Sequence, residues 1–528
     1  MARRFARALV PSLADIAFIG VFLLVLWLGQ FVVSRDGDLG WHIATGRVIL
    51  ETATVPTQDL FSYTMRGQPF VPHEWLAEVA FAAAYGVGGF DAVVVLAAIV
   101  IGATFAGLLL VMLRRGVNPL IAGPLVGLGV IASIAHWAAR PHMFTFLFTL
   151  LWATALEGHR RGRIGVRGLA WLLPLMLVWV NVHGAFVIGY ELAATYLVGA
   201  TLMWLASAAP ARLVHRRQMR DLSLLLALSL VISGVNPVGF ELLYYTGNFV
   251  SADFLRASIP ELQSPDFHSP LFFPLLLLIA LALAVSVRRE PTPLLLLASW
   301  GAFCLYAFRN LPQFVIICLP LIGESAQAQA SHYASYATQP ACSELLRQGV
   351  ARLRRIGASL RPGAARSGGV VAALAVVVIA GLLSQGVRFD FWRRGNGFEQ
   401  HAFPLAAIEH LKPFPPGRRV FNDGSWGGYL IFCCTPQAPP FVDGRVDFYG
   451  AAYISDYYRT LNGEPGWREV LDRYQVDWVM IFSDRPLVPW LEHDPAWQRI
   501  YADATAVVFV RRQHLSGGPA RAPVGHER

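Results

Sequence analysis

The feature that most limits the fold is a series of long apolar runs that recurs along the chain. Because roughly 17–25 apolar residues suffice to cross a bilayer as an α-helix, each run is a candidate membrane span. We count about eleven of them, near residues 13–33, 91–113, 119–137, 142–157, 169–187, 188–207, 221–236, 270–287, 292–308, 311–323 and 369–386. At 55% hydrophobic and 15% charged residues, the 528-residue chain is too apolar for an ordinary soluble protein. The sequence therefore predicts a polytopic α-helical membrane protein.

The loops that carry clusters of basic residues between the apolar runs all fall on one side of the predicted membrane. Their basic residues are Arg3, Arg4, Arg7, Arg114, Arg115, Arg160, Arg161, Arg163, Arg212, Arg216, Arg217, Arg288, Arg289 and the arginines of 347–366. Under the positive-inside rule this side is cytoplasmic, so the N-terminus is expected there. The orientation of the chain in the membrane thus accounts for the net charge of +9. The sequence contains no basic patch with interleaved aromatic residues, the pattern that would indicate nucleic-acid binding.

The opposite side of the membrane receives the remaining polar segments. These are the loop at 34–90, the turn at 136–142, the loop at 237–269 and the chain after about residue 387. From there, short β-rich runs and helical patterns predict an extracytoplasmic α/β domain at 387–514, following a membrane domain at 1–386 and followed by a disordered tail at 515–528. An enzyme site on this side lacks cytosolic nucleotide sugars and ATP, so its activated substrate should be lipid-borne or already exported.

The five cysteines show no spacing typical of a metal site. Two of them, Cys433 and Cys434, are adjacent, which is awkward for an ordinary disulfide. We therefore expect neither a disulfide framework nor a zinc site.

The first outer loop concentrates acidic and imidazole side chains beside the membrane. Such groups are costly near hydrocarbon, so Asp36, Asp38, His73 and Glu74 are candidate catalytic residues, with His42 beside them as a candidate substrate ligand. One of the paired aspartates suits a general base, and the pair also suits a divalent cation such as Mg²⁺ or Mn²⁺, with Asp36, Asp38 and Glu74 as candidate ligands. The alternative is that these groups only cap helices or form hydrogen bonds within the loop.

A second polar set lies at the outer ends of the predicted spans. The planar guanidinium of arginine suits phosphate oxygens, which makes Arg140, His142, Arg309 and Asn310 candidate phosphate ligands. The alternative for both arginines is snorkelling towards the membrane surface. Asn181 and His183 interrupt an apolar stretch, where a polar side chain needs a partner, and are candidate substrate ligands.

Several segments resemble a known group of proteins. DGDLGWHIATG, DLFSYTMRGQPFVPHEWLAE, ARPHMFTFLF, WVNVHGAFVIG and FNDGSWGGYLIF with FVDGRVDFYG are similar to an uncharacterised bacterial group of multispanning, glycosyltransferase-like proteins. The acidic first outer loop, the many spans and the C-terminal outer domain resemble the GT-C superfamily, which includes protein O-mannosyltransferases, aminoarabinose lipid A transferases and oligosaccharyltransferases. The fold class implied is a GT-C-like polytopic α-helical protein with a C-terminal extracytoplasmic α/β domain.

The resemblance also implies an activity. It is sugar transfer from a polyprenyl-phosphate-linked donor to a glycan, lipid or protein acceptor on the periplasmic face of a bacterial inner membrane. Asp36 or Asp38 would be the base or a metal ligand, with Glu74 and His73 as partners. Arg140 and Arg309 would stabilise the leaving lipid phosphate. No second Asp-x-Asp occurs in a later outer loop, which leaves the metal requirement open.

The C-terminal segment SWGGYLIF is analogous to the Trp-Trp-Asp-Tyr-Gly signature of oligosaccharyltransferases. By this analogy Trp426, Tyr429, Asp443 and Arg445 would bind the acceptor. The alternative is a turn-rich domain with an internal Arg–Asp pair.

Two other functions remain open at the level of sequence. A secondary transporter has a similar number of spans, but its polar groups lie near the bilayer midplane, whereas here they collect at one face. A noncatalytic membrane partner of a glycan assembly system would use the outer domain for docking.

Overall fold

The computed structural model describes residues 10–32, 35–285, 290–336, 343–364, 369–385, 387, 396–412 and 417–513. The predicted disordered tail at 515–528 lies outside these residues, as do several of the basic residues that indicated the orientation.

Residues 13 to 384 fold into α-helices that pack around one apolar core. The helices are α1 Leu13–Val32, α2 Asp38–Thr52, α3 Trp75–Arg114, α4 Pro119–Ser133, α5 His142–Arg160, α6 Val166–Leu169, α7 Leu172–Val182, α8 Val187–Ala206, α9 Ala209–Ile232, α10 Glu241–Ser251, α11 Asp253–Ser258, α12 Phe273–Val285, α13 Pro291–Tyr306, α14 Leu311–Tyr336, α15 Glu344–Ala364 and α16 Val370–Ser384. In the described residues, five helices are long and apolar enough to cross a membrane, and four shorter apolar helices accompany them. The chain is a multi-pass membrane protein, while the expected number of eleven spans stays a prediction.

Helix α3 is divided by a kink. We expected a span at 91–113 preceded by a separate segment, and the helix Trp75–Arg114 has non-helical dihedral angles at Gly88 and Gly89, so two helical segments meet there. The second segment coincides with the expected span and, at about 1.5 Å per residue, is long enough to cross a bilayer core. The first segment begins at the acidic loop, with Glu74 just before it and Glu78 in its first turn.

The acidic loop is itself partly helical. Helix α2 begins at Asp38 and packs against α3 and against a helix of the C-terminal domain, Gly427–Cys434. The approach is backbone to backbone, because a Cβ atom added at Gly40 would lie 2.2 Å from the carbonyl oxygen of Gly428. An added Cβ at Gly428 would lie 2.1 Å from the carbonyl oxygen of Gly37. Glycine is needed here because no side chain fits between the two backbones.

The substitution Gly428→Ala should separate these helices and destabilise the protein by about 1–3 kcal/mol, the usual cost of overpacking a close contact. Thermal unfolding of the purified protein in detergent measures this. Gly301→Ala is the matched control, since an added Cβ at this helical glycine meets nothing within 4 Å. An equal melting temperature for both variants would contradict the close packing.

The C-terminal domain, defined here as the described residues from 396 to 513, is a four-stranded sheet covered by helices. Its elements are α17 Leu405–Leu411, β1 Val420–Asn422, α18 Gly427–Cys434, α19 Val446–Tyr449, α20 Ala451–Leu461, α21 Trp467–Arg473, β2 Trp478–Phe482, α22 Leu487–His493, β3 Trp497–Ala502 and β4 Ala506–Arg511. The strand order is β1-β2-β4-β3, with β1 parallel to β2 and the other pairs antiparallel.

Two expectations for this domain are wrong. One of the β-rich runs, RVFNDGSWGGYLIF, forms strand β1 only at Val420–Asn422, and its second half belongs to helix α18, because a short apolar run buried on several sides fits either structure. A disulfide bond joins the adjacent Cys433 and Cys434, although the sequence favoured no bridge.

Candidate functional site

The two aspartates of the acidic loop converge on one arginine. Arg140, in the turn between α4 and α5, binds Asp36 with Nε and with Nη2, the latter at 2.9 Å from Oδ1. The same Nη2 lies 2.9 Å from Oδ2 of Asp38. In the described part of the chain, no donor binds the other oxygen of Asp38, Oδ1. Asp36 therefore pairs with the guanidinium through both of its oxygens, whereas Asp38 pairs with it through Oδ2 alone.

A third carboxylate reaches the same guanidinium from the outer loop at 237–269. Glu261 Oε1 lies 3.3 Å from Arg140 Nη1, and its Oε2 lies 3.7 Å from His136 Nδ1. Arg309 adds a second positive charge near Glu261 and Glu74. Two arginines and several carboxylates thus share one end of the bundle, where a ligand phosphate would compete with the carboxylates for the guanidinium groups.

Three histidines surround Glu74 beside this cluster. Its Oε1 lies 3.7 Å from Nε2 of His73 and 3.6 Å from Nε2 of His183, and its Oε2 lies 4.0 Å from Nε2 of His42. His42 also faces Glu78, with 3.5 Å between Nδ1 and Oε1. The predicted catalytic residues of the loop are therefore brought together with the predicted histidine ligands.

Burial changes the protonation of these groups. Burial raises the pKa of Asp38 to about 7, assisted by the charges of Asp36, Asp443 and Glu261 and opposed by Arg140. Burial likewise raises the pKa of Glu74 above its ordinary value. A carboxyl group with a pKa near neutrality suits a general base.

The C-terminal domain closes over Asp38. An added Cβ at Gly444 would lie 1.7 Å from Asp38 Oδ1, so the backbone of the DGR turn lies directly against this carboxylate. The next residue, Arg445, is buried and bridges Asp443 at 2.6 Å and Asp59 at 2.7 Å. Phe70 and Phe448 lie close to its guanidinium, each with a ring centroid at 5.2 Å. Arg445 therefore joins the C-terminal domain to the acidic loop through this pair of ion pairs.

Several residues predicted to bind substrate have structural partners instead. Trp426 is wholly buried and donates its indole N–H to the carbonyl of Ala402, and Tyr429 packs among the phenylalanines of the same core. Asp443 and Arg445 form the internal pair that was the alternative interpretation. These four residues have no open surface for an acceptor, because apolar and charged partners cover them.

Asparagines and histidines at the span ends are also held by the protein. Asn181 accepts a hydrogen bond from the indole of Trp75 at 2.7 Å and donates to the carbonyls of Leu177 and Val235. Asn310 donates to the carbonyl of Phe303. The ring of His142 stacks on His136, and its Nε2 lies 3.0 Å from the carbonyl oxygen of the latter. These side chains shape the site and leave Arg140 and Arg309 as its cationic groups.

Sequence reasoning missed several residues of the site. Glu261 is an isolated acid in its loop, and only its position after Pro260 at the outer face distinguished it. Tyr245 donates to Asp447 and so links the outer loop to the C-terminal domain. Thr145, which no sequence pattern marked, lies 3.0 Å from Nδ1 of His183.

The metal hypothesis does not fit the observed donors. Within the residues that the structure describes, no group of three or more His, Cys, Asp or Glu side chains is arranged to hold a metal ion. The facing oxygens of Asp36 and Asp38 bind Arg140, while Glu74 faces histidines. We therefore derive no chemical step through a metal.

The overall architecture is similar to that of known membrane glycosyltransferases. The archaeal oligosaccharyltransferase AglB from Archaeoglobus fulgidus, in complex with an inhibitory peptide and a dolichol-phosphate, superposes with a TM-score of 0.54 at 12% identity, covering 89% of this chain and 69% of that one. ArnT from Cupriavidus metallidurans, in the apo state, aligns with a TM-score of 0.48 at 16% identity, covering 96% of this chain and 99% of that one. The likeness to the oligosaccharyltransferase confirms the predicted GT-C-like fold.

Comparisons by sequence add nothing to this. No protein-family model matches the chain, and no curated protein matches it.

Proposed function

We propose that the protein is a glycosyltransferase that moves a sugar from a polyprenyl-phosphate-linked donor to an acceptor hydroxyl or amide at the outer face of the membrane. The observation that carries this proposal is the convergence of Asp36, Asp38, Arg140 and Arg309 at one end of the bundle, beneath the C-terminal domain. The oligosaccharyltransferase of the same fold holds a dolichol-phosphate, which supports a lipid phosphate as the ligand of such a site.

The residues take distinct roles in this reaction. Asp38 is the base, because only its Oδ2 pairs with Arg140 and because burial raises its pKa to about 7. It accepts the proton of the acceptor as the acceptor oxygen or nitrogen attacks the anomeric carbon. Arg140 and Arg309 stabilise the negative charge that the departing lipid phosphate gains, and Asp36 orients Arg140.

The location of the reaction follows from the same groups. By the positive-inside rule the cluster lies on the periplasmic face of a bacterial inner membrane, with the N-terminus in the cytoplasm. There the acceptor is a glycan, lipid or protein, and a lipid-borne donor needs no cytosolic nucleotide. A transporter is disfavoured because the charged cluster is at the bundle end, and a scaffold is disfavoured because a carboxyl group with a raised pKa beside a cationic cluster is more typical of a functional site.

A transfer assay tests the proposal. The protein in lipid nanodiscs is incubated with a panel of polyprenyl-phosphate sugars, with and without chelator, and release of polyprenyl phosphate is measured. Release that depends on the protein and survives the chelator is the expected result. Folded protein that releases no polyprenyl phosphate from any donor would contradict the proposal.

The rate should also depend on pH in a direction set by Asp38. A base must be ionised, so the rate is low below the pKa of about 7 and rises as the pH increases through it. Arg140 lowers this pKa, so Arg140→Gln should move the midpoint of the rise to higher pH as well as weaken donor binding. The measurement is kcat/KM against pH for both proteins. A midpoint that stays in place or moves to lower pH would contradict the role of Asp38.

A further inference from the structure

The carboxylate of Glu74 faces two imidazoles that come from different parts of the chain. Nε2 of His73 and Nε2 of His183 lie 3.7 and 3.6 Å from the same oxygen, Oε1. The charged groups His42, Arg140, Arg309 and Asp447 also act on this carboxylate. Whether each imidazole presents a proton or a lone pair therefore determines how Glu74 is held.

The hydrogen bond of His73 fixes one of its nitrogens. Its Nδ1 lies 3.1 Å from the carbonyl oxygen of Val71, and a carbonyl oxygen only accepts. Nδ1 of His73 therefore carries a proton. In its neutral form His73 then turns the lone pair of Nε2 towards Glu74, so this ring offers the carboxylate no hydrogen bond.

In His183 the protonated nitrogen is Nε2 instead of Nδ1, and two further residues determine this. Trp179 Nε1 donates to the hydroxyl oxygen of Thr145 at 2.9 Å, since an indole N–H only donates. The hydroxyl proton of Thr145 is then free for Nδ1 of His183, 3.0 Å away, and the described chain shows no other acceptor for it. Nδ1 of His183 accepts, so its Nε2 carries the proton and points it at Glu74. All three side chains are buried.

We propose that Trp179 and Thr145 are positioning residues, which fix the Nε2–H tautomer of His183 so that this ring turns its N–H towards the carboxylate of Glu74, 3.6 Å away, and stabilises the negative charge of that carboxylate in the site. The inference rests on the proposed function, in which Glu74 acts as the partner of the base that the resemblance implied, but the tautomer is independent of it. The chain Trp179–Thr145–His183–Glu74 connects three helices, α7, α5 and the start of α3, so it also sets where the carboxylate stands relative to Asp38.

Nitrogen NMR tests the tautomer without any substrate. Protein labelled with ¹⁵N-histidine is studied in nanodiscs, and the His183 signals are identified by their loss in His183→Gln. We expect the Nε2–H form in the wild-type protein and in Thr145→Ser, and a loss of that preference in Thr145→Val. A wild-type His183 that is protonated at Nδ1 alone would overturn the proposal.

Enzyme kinetics then test whether the Nε2–H tautomer of His183 contributes to the reaction. Thr145→Val and Trp179→Phe should lower kcat by about tenfold to a hundredfold with KM for the donor within about twofold, while Thr145→Ser retains the wild-type rate within about threefold. Thr104→Val is the matched control, because Thr104 is equally buried but its hydroxyl binds only the carbonyl of Val100. Equal rates for the Val and Ser variants would overturn the positioning role. If no donor is turned over, the proposed function fails while the NMR result still decides the tautomer.

Discussion

Replacing Asp38 by Asn should lower kcat for sugar transfer by about 10²–10⁴-fold, the usual contribution of a general base. Asparagine has nearly the same shape, so it fits against the backbone of Gly444, where an added Cβ atom would lie only 1.7 Å from the carboxylate. Its amide cannot accept the proton of the acceptor. Arg140 keeps Asp36 and Glu261 as partners, so the site should remain assembled.

Asp36→Asn should behave differently, which separates the two aspartates. Both oxygens of Asp36 face Arg140, so its loss should misplace the guanidinium and raise KM for the donor more than it lowers kcat. Asp253→Asn is the control, because this loop side chain is 91% exposed and pairs with Arg256 rather than with Arg140. If Asp38→Asn retains the wild-type kcat while Asp36→Asn loses it, the roles of the two residues are reversed.

The second large effect is on stability. Arg445→Met should destabilise the protein by about 3–5 kcal/mol, the cost of leaving buried charges without their partner. Asp59 and Asp443 both depend on this guanidinium, and the side chains of both are fully buried. Since Arg445 joins the C-terminal domain to the acidic loop, the domain should become accessible to protease at lower temperature. Thermal unfolding in detergent and limited proteolysis measure the two effects.

Two variants control this prediction. Arg468→Met removes an arginine that is 59% exposed and paired with Asp494, so its effect should be within about 1 kcal/mol. Adding Asp59→Asn and Asp443→Asn to Arg445→Met removes the unpaired charges and should restore part of the stability. A melting temperature for Arg445→Met equal to that of Arg468→Met would show that the buried bridge does not hold the domain.

The sequence predicted the site best where charged residues lie near the membrane, because placing them there costs free energy. Carboxylates and arginines at the ends of apolar helices are expensive, so Asp36 and Asp38 in the first loop and Arg140 at a span end were each singled out before their contacts were known. The GT-C-like fold was implied by the resemblance of these segments to that superfamily, and the fold shared with the oligosaccharyltransferase confirms it. The proposal that Asp38 rather than Asp36 is the base required the structure, because Arg140 donates hydrogen bonds to both oxygens of Asp36 but forms an ion pair with only one oxygen of Asp38.

Other features depended on contacts between distant segments. The motif containing Asp443 and Arg445 has the composition of a binding loop, but its arginine turns inwards to Asp59, which lies almost 400 residues earlier in the chain. Trp426 is flanked by small residues, a pattern that suits an exposed platform, yet it fills the core of the C-terminal domain. Thr145 is unremarkable in sequence, and its relation to His183 exists only because α5 and α7 are neighbours.

A structure of the protein in nanodiscs with bound polyprenyl phosphate tests the central claim most directly. We predict phosphate density between Arg140 and Arg309, beside Asp38 and beneath the turn at Gly444. The contradicting result is a phosphate that binds only at the opposite end of α5, where His159 and Arg160 line a cavity of about 220 Å³. Density there, with the outer cluster empty, would place the lipid on the other face of the membrane and remove the basis for transfer at the outer face.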